Sequence, residues 1–302
     1  MTECAVVVVN YRSAELVSGC LAALGAGGRP AEVVVVDNAS GDGSARLLRT
    51  RHPDVTVVER AANDGFAAGV NAGFAATRAP VVVLLNPDTV PHPDALERLV
   101  AHLDASPRAG VAAPRLTYPD GTPQASAYRR FPGLGMLFLD LCLPAGFAVQ
   151  AWPRLDPYRV PPAGLRDGSR VAHVTGAALA VRRAAYAAAG PLDEGFFLYL
   201  EETEWQERLQ AAGWTVEMVP SATVTHLVRG GGEAALAPSP HYLRSARRYL
   251  GLRGCPPAAT EAMITAALLL SRLAARAERL LPAGRRTGGA RAAAYDALWR
   301  AR

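Results

Sequence analysis

The stretch Val81–Thr89, with the sequence VVVLLNPDT, decides the fold. Five consecutive apolar residues, several of them β-branched, predict a buried strand that ends where Asn86, Pro87 and Asp88 begin. Pro87 has no amide hydrogen for a sheet ladder and favours an extended conformation at Asn86, so the chain turns there. Asp88 is therefore predicted at the carboxyl end of a buried strand, which is the edge where open α/β sheets place their ligands.

A carboxylate on a stiff turn at this edge suits a hard divalent cation that also contacts phosphate oxygens. Asp88 is therefore a candidate metal ligand, with Asn86 beside it. A simpler interpretation is that Asn86–Asp88 is only the turn before a helix that begins near Pro93. This stretch alone leaves both interpretations open.

Three shorter apolar runs precede this stretch, and segments with helical patterning separate them. The runs are Ala5–Val9, Val33–Val36 and Val55–Val58. Four strands that alternate with helices predict a parallel, doubly wound α/β sheet. Three of the strands end in polar clusters, which are Asn10–Arg12, Asp37–Ser40 and Asn86–Asp88. Because the carboxyl ends of parallel strands line one crevice, these clusters predict a ligand site at that edge.

The middle of the chain carries weaker patterns. Residues 109–127 predict a hairpin that turns at Tyr118–Gly121, and Val171–Val181 is strand-like. The strongly apolar segment Phe131–Trp152 is interrupted by a charge and a proline. We interpret it as a buried or interfacial segment and not as a membrane span, with core packing favoured.

An amphipathic helix is predicted from Glu201 to Ala212, because Trp205 and Leu209 fall on one face and a glycine follows. The acidic residues in its first turn are also explained by the helix dipole alone. Two strands then lead to His226, and a lone histidine at a strand end is more often a surface residue than a ligand. These strands are Val216–Val219 and Ala222–Thr225.

The cysteines, the first residues and the lengths of the apolar runs indicate the cellular compartment. The four cysteines show no metal-binding spacing, which predicts small core residues in a reducing compartment. The first residues lack a basic segment and a cleavage site, so the sequence predicts a cytoplasmic protein. No uncharged apolar run is long enough to predict a membrane span.

Positive charge is concentrated at the C-terminal end. Residues 229–302 carry thirteen arginines and four acidic residues, a net charge of +9 in a chain whose total is +5. A helix is predicted over Thr260–Leu281, with its leucines and alanines on one side and its arginines on the other. This extension suits an anionic membrane surface, and the alternative is a helix packed on its own domain with a solvated arginine face. No recognition-helix pattern supports nucleic-acid binding, so none is expected.

Eight short segments, in this order, resemble the family 2 inverting glycosyltransferases with a GT-A fold, particularly the rhamnosyltransferase-like branch. The segments are those around Asn10-Tyr11, Asp37-Asn38-Ala39-Ser40, Asn63 to Asn71, Asn86-Pro87-Asp88, Thr175-Gly176, Asp193 to Phe197, Glu201 to Glu204, and His226. The resemblance covers about residues 3–250. It implies a mixed, mainly parallel sheet flanked by helices, with a helical basic C-terminal extension.

The resemblance also implies domain limits. Residues 1–228 would form the GT-A catalytic domain, with a nucleotide-sugar-binding half over about 1–90 and an acceptor half over about 91–228. Residues 229–302 would form the arginine-rich extension.

The resemblance assigns most donor-binding roles residue by residue. Asn10, Tyr11 and Asp37 would hold the base and ribose of a nucleotide-sugar, and Asn63 and Asn71 would lie alongside the donor. Asn86 and Asp88 would form a degenerate DxD motif whose first acid is missing, so that Asp88 and His226 hold Mg²⁺ or Mn²⁺. Arg229 would close over the diphosphate.

The catalytic base would be the second acid of the family's Glu-Asp pair, which is Glu202 here. This chain departs from the pattern, because it has Glu where the family has Asp. One extra methylene moves the carboxylate by about a bond length, and catalysis is sensitive to a shift of that order. Glu201 and Glu204 therefore remain alternatives for the role.

The implied function is an inverting hexosyltransferase of cell-surface polysaccharide biosynthesis, acting by a single displacement. The expected donor is dTDP-rhamnose, with a UDP-sugar as the alternative, and the expected acceptor is a saccharide or a polyprenyl-diphosphate-linked saccharide at the inner face of the cell membrane. A second hypothesis is a catalytically degenerate sugar-nucleotide-binding or scaffold protein. A sugar-1-phosphate nucleotidyltransferase is disfavoured, because no Gly-rich basic loop follows the first strand.

Overall fold

The structure is a computed structural model, and it describes residues 3–26, 32–142, 158–227, 239–277 and 295–300. The chain divides into two compact units. Unit 1 consists of Met1–Phe131, Arg159–Phe197 and Glu201–Arg229, and unit 2 consists of Pro132–Tyr158, Leu198–Leu200 and Gly230–Arg302. The domain limits given above stay a prediction. In the division into two units, two internal segments group with the C-terminal residues.

Unit 1 contains the strands and most of the helices. Its strands are β1 (Cys4–Asn10), β2 (Glu32–Asp37), β3 (Thr56–Glu59), β4 (Val81–Leu85), β5 (Thr89–Pro91), β6 (Ala109–Thr117), β7 (Ala127–Tyr128), β8 (Ser169–Val171), β9 (His173–Val174), β10 (Ala178–Arg182) and β11 (Thr215–His226). Its helices are α1 (Ala14–Ala26), α2 (Ser44–Arg51), α3 (Phe66–Ala76), α4 (Ala95–Ala105), α6 (Arg183–Ala189) and α7 (Glu201–Ala211). Helix α5 (Leu134–Cys142) lies between α4 and α6 in the chain and belongs to unit 2.

Within the described residues, nine strands form one mixed sheet in the order β3-β2-β1-β4-β10-β6-β11-β5, with β8 also beside β11. The four N-terminal strands pair in parallel, as their alternation with helices predicted. β10 is antiparallel to both β4 and β6, whereas β6 and β11 are parallel. The predicted mixed α/β sheet is thereby confirmed.

Two details differ from the sequence prediction. The turn at Tyr118–Gly121 exists, but β6 pairs with β10 and β11 and makes only a short return pairing, at Thr117 and Pro123. The two strands expected before His226 form one strand, β11, whose register against β6 shifts between Val219 and Thr223. Pro220 lies in that shift, which explains why the local pattern suggested two strands.

Both faces of the sheet are covered by helices, because alternate residues of the buried strands point to opposite faces. Val6 and Val8 of β1 join a core that includes side chains of α1, α2 and α4. Val7 and Val9 join the opposite core, which includes side chains of α3, α6 and α7. This burial fixes the register of β1 and hence where its polar end, Asn10, emerges.

Unit 2 contains α5 (Leu134–Cys142), α8 (Pro240–Leu252) and α9 (Pro257–Ala277), and residues 295–300 are also helical. Side chains of all four segments share one small core, which includes Leu141, Leu243, Ile264 and Leu298. The part of Phe131–Trp152 that the structure describes thus contributes to a core, whereas residues 143–152 lie outside the described residues.

Helix α9 differs from its predicted arrangement, because its leucines do not all lie on one side. Leu268 is fully buried, but Leu269, Leu270 and Leu273 are 41%, 51% and 61% exposed. The window Pro257–Arg276 is also long and apolar enough to cross a membrane by length and composition alone, although a third of it is buried within the protein. The sequence analysis did not identify this property.

Candidate active site

The carboxyl ends of β1 and β2 meet in a closed polar network. Asn10 and Asp37 are paired in the β1–β2 register, and the Asn10 amide nitrogen donates to Asp37 Oδ1 over 2.6 Å. Ser40 donates to the same oxygen through its hydroxyl and to Oδ2 through its backbone amide. The Asn10 side-chain oxygen also accepts a hydrogen bond from the Ser13 amide, so both ends of the Asn10 side chain have partners within the protein. Asn10 therefore positions Asp37, whose Oδ2 retains room for a further donor.

The neighbouring loop is organised by the side chain of Asn38. Its amide nitrogen donates to Asn63 Oδ1 and to the Gly65 carbonyl, and its oxygen accepts from Arg60. Asn63 Oδ1 accepts a second hydrogen bond from the Gly65 amide. Tyr11, which follows Asn10 in the chain, is exposed, with the Arg12 guanidinium 5.3 Å from its ring centre. An exposed aromatic ring of this kind can stack on a nucleobase.

Gly65 holds this loop against the segment before α7. Its φ is +100° and a Cβ there would lie 2.6 Å from the Phe197 Cα, while the next amide, of Phe66, donates to the Phe197 carbonyl. Only glycine adopts this backbone conformation without strain, and it is also the only residue that fits the space.

We expect Gly65→Ala to lower the free energy of unfolding by at least about 2 kcal/mol, because strain and a backbone clash add. The matched control is Gly19→Ala, at an exposed position inside α1 with no neighbouring atoms, which should raise stability by about 0.5–1 kcal/mol. Urea unfolding of both variants measures the difference. Equal stability of the two variants would contradict the proposed constraint.

Asn71 makes its hydrogen bonds within the protein. Its amide nitrogen donates to the Leu192 carbonyl and to Glu194, and its oxygen accepts from the Tyr186 hydroxyl and the Leu192 amide. All of its hydrogen-bonding positions have partners within the protein. Direct donor binding by Asn71 stays an untested prediction, and its contacts favour a role in fixing α3 to the 192–194 loop.

The Asn86–Asp88 turn lies beside the end of β11. The Asn86 amide donates to the Ala177 carbonyl over 2.9 Å, and the Leu227 amide donates to the Asp88 carbonyl over 2.8 Å. Asp88 Oδ1 is 3.4 Å from His226 Nε2, and both side chains are largely buried. The two residues that were predicted as metal ligands, 138 positions apart in the chain, therefore face each other.

These two side chains fit a divalent cation. Two adjacent ligands of an octahedral ion at about 2.1 Å lie about 3 Å apart, which is close to the observed separation. No group of three or more His, Cys, Asp or Glu side chains that could hold a metal occurs among the described residues. Among the described residues, Asp88 and His226 would therefore be the two side chains of this kind that hold a cation here.

The N-terminus of α7 presents Glu201 and Glu202. Glu202 Cγ lies 3.3 Å from where a Cβ on Gly176 would stand, so this carboxylate packs directly against the Thr175–Ala177 loop. The next residue of that loop, Ala177, accepts the hydrogen bond from Asn86. Two backbone residues thus separate the candidate base from the turn that carries Asp88.

Burial raises the pKa of both acids. Desolvation is the main cause for Glu201, with repulsion from Glu202 adding to it, and Glu201 Oε2 has no hydrogen-bond partner within the described residues. Desolvation also raises the pKa of Glu202, but hydrogen bonds from its own backbone and those of Gly176 and Thr203 oppose the increase. The helix dipole favours both carboxylates, but by less than burial disfavours them. Glu202 is therefore the better candidate for an ionised base.

Glu204, the third alternative, is held in an ion pair. Its carboxylate accepts two hydrogen bonds from Arg208, over 2.7 and 2.9 Å. Arg208 in turn donates to the carbonyls of Ala189 and Pro191. This arrangement fixes α7 to the preceding loop, and it leaves Glu204 poorly suited to accept a proton from a substrate.

Arg229 lies outside the described residues, so its donor-binding role stays a prediction. The structure adds two residues that the sequence analysis did not identify. Gln206 exchanges hydrogen bonds with the backbone of Val174 and donates to the Glu202 carbonyl, which fixes the first turn of α7. Gln124 contacts His226. Both act through partners distant in the chain, so no local pattern could reveal them.

The chain belongs to family 2 of the glycosyltransferases. Residues 5–186 match the family model described as Glycosyl transferase family 2. The chain is also rhamnosyltransferase-like. It is 31% identical over 239 residues to the N-acetylglucosaminyl-diphospho-decaprenol L-rhamnosyltransferase of Mycobacterium tuberculosis, covering 73% of this chain and 75% of that protein.

Solved structures show the same GT-A-like fold at low identity. The mannosyltransferase PcManGT of Pyrobaculum calidifontis, in complex with GDP-Man and Mn²⁺, has a TM-score of 0.56 at 19% identity and covers 99% of this chain and 86% of its own. GalNAc-T7 with UDP, GalNAc and Mn²⁺ has a TM-score of 0.58 at 16% identity, with coverage of 82% of this chain and 48% of its own. This chain therefore spans about half of GalNAc-T7.

Proposed function

We propose that this glycosyltransferase moves L-rhamnose from dTDP-rhamnose to a polyprenyl-diphosphate-linked saccharide, with inversion and in a single displacement. The observation that carries the proposal is the two-residue backbone link between Glu202 and the Asn86–Asp88 turn. It brings a candidate base and a candidate metal-diphosphate site to one edge of the sheet. The 31% identity to an L-rhamnosyltransferase supports the choice of sugar.

The residues divide the chemistry between them. Tyr11 and Asp37 bind the base and ribose, with Asn10 holding Asp37, and Asn63 lies alongside the donor. Asp88 and His226 would hold Mg²⁺ or Mn²⁺, and a bound cation would stabilise the negative charge that develops on the leaving group. Glu202 removes the proton from the acceptor hydroxyl while its oxygen attacks the anomeric carbon.

The mycobacterial relative is named for a lipid-linked acceptor, which supports the same acceptor class here and a place in polysaccharide biosynthesis at the cytoplasmic membrane face. The exposed leucines of α9 support peripheral contact with an anionic membrane. Arg276 lies one turn beyond Leu273 and is exposed, and residues 278–302 add six arginines against two acidic residues. We prefer surface contact to a span, because part of α9 is buried in unit 2.

We expect the double variant Leu270→Glu, Leu273→Glu to bind vesicles containing phosphatidylglycerol at least about tenfold more weakly than the wild type. Half-burying a leucine contributes about 1 kcal/mol, and the added charges also repel the anionic surface. Vesicle flotation measures the change. The control is Leu252→Glu, another exposed leucine of unit 2, outside α9. Equal wild-type binding to neutral phosphatidylcholine vesicles, or no binding at all, would contradict the anionic contact.

The donor is tested by thermal unfolding with dTDP, UDP, GDP or CDP, each with and without Mg²⁺ or Mn²⁺. A ligand that binds only the native protein adds about 2.7 kcal/mol of stability at a hundredfold excess over its dissociation constant. A metal-dependent increase with dTDP supports the proposal, and an increase with UDP alone would replace the donor by a UDP-sugar. Release of dTDP from dTDP-rhamnose with a lipid-linked acceptor then tests transfer.

A second candidate function is sugar-nucleotide binding without catalysis. The missing first acid of the DxD motif and the Glu at position 202 favour it. Nucleotide binding without transfer across a wide range of acceptors would support this alternative over the transferase.

A further inference from the structure

Gln124 lies beside the candidate metal site because of the turn after β6. The Gln124 backbone amide donates to the Leu116 carbonyl over 2.8 Å, which aligns it with the end of β6. In the parallel β6–β11 register, Thr117 is paired with Thr225, the residue before His226. The turn thus returns Gln124 to the end of β11, next to His226.

The Gln124 side chain contacts His226 on both its backbone and its ring. Its amide nitrogen donates to the carbonyls of Thr117, over 3.2 Å, and of His226, over 3.0 Å. Its amide oxygen lies 3.1 Å from His226 Nδ1. Both carbonyls can only accept, so the amide nitrogen must face them and the oxygen must face the ring. His226 Nδ1 therefore carries the hydrogen in this pair.

This hydrogen bond determines what the other ring nitrogen can do. A neutral imidazole with its hydrogen on Nδ1 has a lone pair on Nε2. That nitrogen faces Asp88 Oδ1 at 3.4 Å, so a lone pair and a carboxylate oxygen converge. Two such acceptors suit a cation between them, and partners of this kind set both the tautomer and the orientation of histidine ligands.

We propose that Gln124 is a positioning residue that holds His226 with its hydrogen on Nδ1, so that Nε2 remains available to a divalent cation shared with Asp88. This inference rests on the metal-dependent donor binding of the proposed function. Gln124 contacts neither the metal nor the donor in this proposal, and it acts only through the ring of His226.

The first test determines the tautomer in the wild-type protein, and a variant is needed only to assign the signals. Long-range ¹H–¹⁵N spectra distinguish the two histidine tautomers, and the chain has only six histidines. The His226 signals are assigned by their loss in His226→Asn. With Mg²⁺ and dTDP bound, we expect the hydrogen on Nδ1. A hydrogen on Nε2 overturns the proposal.

The second test measures Mn²⁺ affinity in the presence of dTDP, from the electron paramagnetic resonance signal of free Mn²⁺. Gln124→Leu should weaken binding by about 10–100-fold, as losses of such supporting hydrogen bonds do. In a His226→Ala background the same change should have no further effect, since Gln124 acts only through that ring. The control is Gln210→Leu, which removes a glutamine that donates to the Ala172 carbonyl instead.

The outcomes separate this inference from the proposed function. Unchanged Mn²⁺ affinity in Gln124→Leu, or an equal loss with and without His226, overturns the positioning role even if transfer is observed. Metal binding with the expected tautomer but without transfer contradicts the proposed function and leaves the inference standing. A wild-type protein that binds no Mn²⁺ with dTDP or UDP overturns both.

Discussion

Glu202→Gln should lower kcat by about 10²–10⁴-fold while leaving nucleotide binding intact. Proton removal by a positioned base contributes an effect of this size, and glutamine has nearly the same shape but cannot accept the proton. Glu202 lies against the loop at Gly176 and does not contact the network around Asp37. Steady-state transfer kinetics and the nucleotide-dependent thermal shift measure the two quantities separately.

Two neighbouring acids supply the controls for this prediction. Glu204→Gln loses the ion pair with Arg208 and should cost a little stability, with kcat within a few-fold of the wild type. Glu201→Gln should also retain activity, since burial raises the pKa of Glu201 and so disfavours the ionised form that a base needs. A large loss of kcat in Glu201→Gln, with none in Glu202→Gln, would move the base to Glu201.

The pH dependence follows from the same burial. The base works only when it is ionised, and burial raises the pKa of Glu202. As the pH is lowered, kcat should therefore begin to fall at a higher pH than it would with an ordinary glutamate. For stability, the folded protein holds the Glu201 proton after the unfolded chain has lost it. This contribution to stability is present below the ordinary pKa of glutamate and is lost as pH rises towards the raised value. Glu201→Gln should reduce that loss.

The sequence predicts the parallel half of the sheet because its signals are local. Each of the first four strands is a short apolar run followed by a turn, and burial of those runs needs no information from distant residues. β11 was predicted as two strands, because Pro220 interrupts a pattern that pairing with β6 continues. The faces of α9 were predicted incorrectly for a similar reason. Which of its leucines are buried depends on α5 and α8, and not on its own period.

In the candidate site, too, local motifs predict some features, whereas others depend on residues distant in the chain. The resemblance brought Asp88 and His226 together as metal ligands, and the structure places them 3.4 Å apart. It also assigned Asn71 to the donor. In the structure, the side chain of Asn71 forms hydrogen bonds with residues 186–194, and a motif does not reveal these contacts. Gln124 was missed because its role arises from two chain segments that meet only in the folded protein. A motif therefore identifies residues that contact a ligand better than residues that position those ligand-binding side chains.

Asp88→Asn should lower kcat by about 10²–10⁴-fold and also abolish the metal-dependent part of nucleotide binding. A divalent cation contributes several kcal/mol to stabilising charge on a leaving group, and each 1.4 kcal/mol corresponds to about a factor of ten. Asparagine keeps the shape of the side chain but removes the charge that, with His226, would hold the ion. The backbone hydrogen bond from Leu227 to residue 88 is retained, so the turn should persist.

The combination of effects distinguishes Asp88 from Glu202. Glu202→Gln should bind nucleotide with the wild-type metal dependence, whereas Asp88→Asn should bind it equally with and without Mn²⁺. Asp94→Asn is the matched control, because Asp94 is exposed and pairs with Arg98 at the start of α4. If Asp88→Asn kept the metal-dependent thermal shift, Asp88 would stabilise the turn and would not bind the cation. The simpler interpretation of Asn86–Asp88 would then hold, and the metal would have to bind elsewhere.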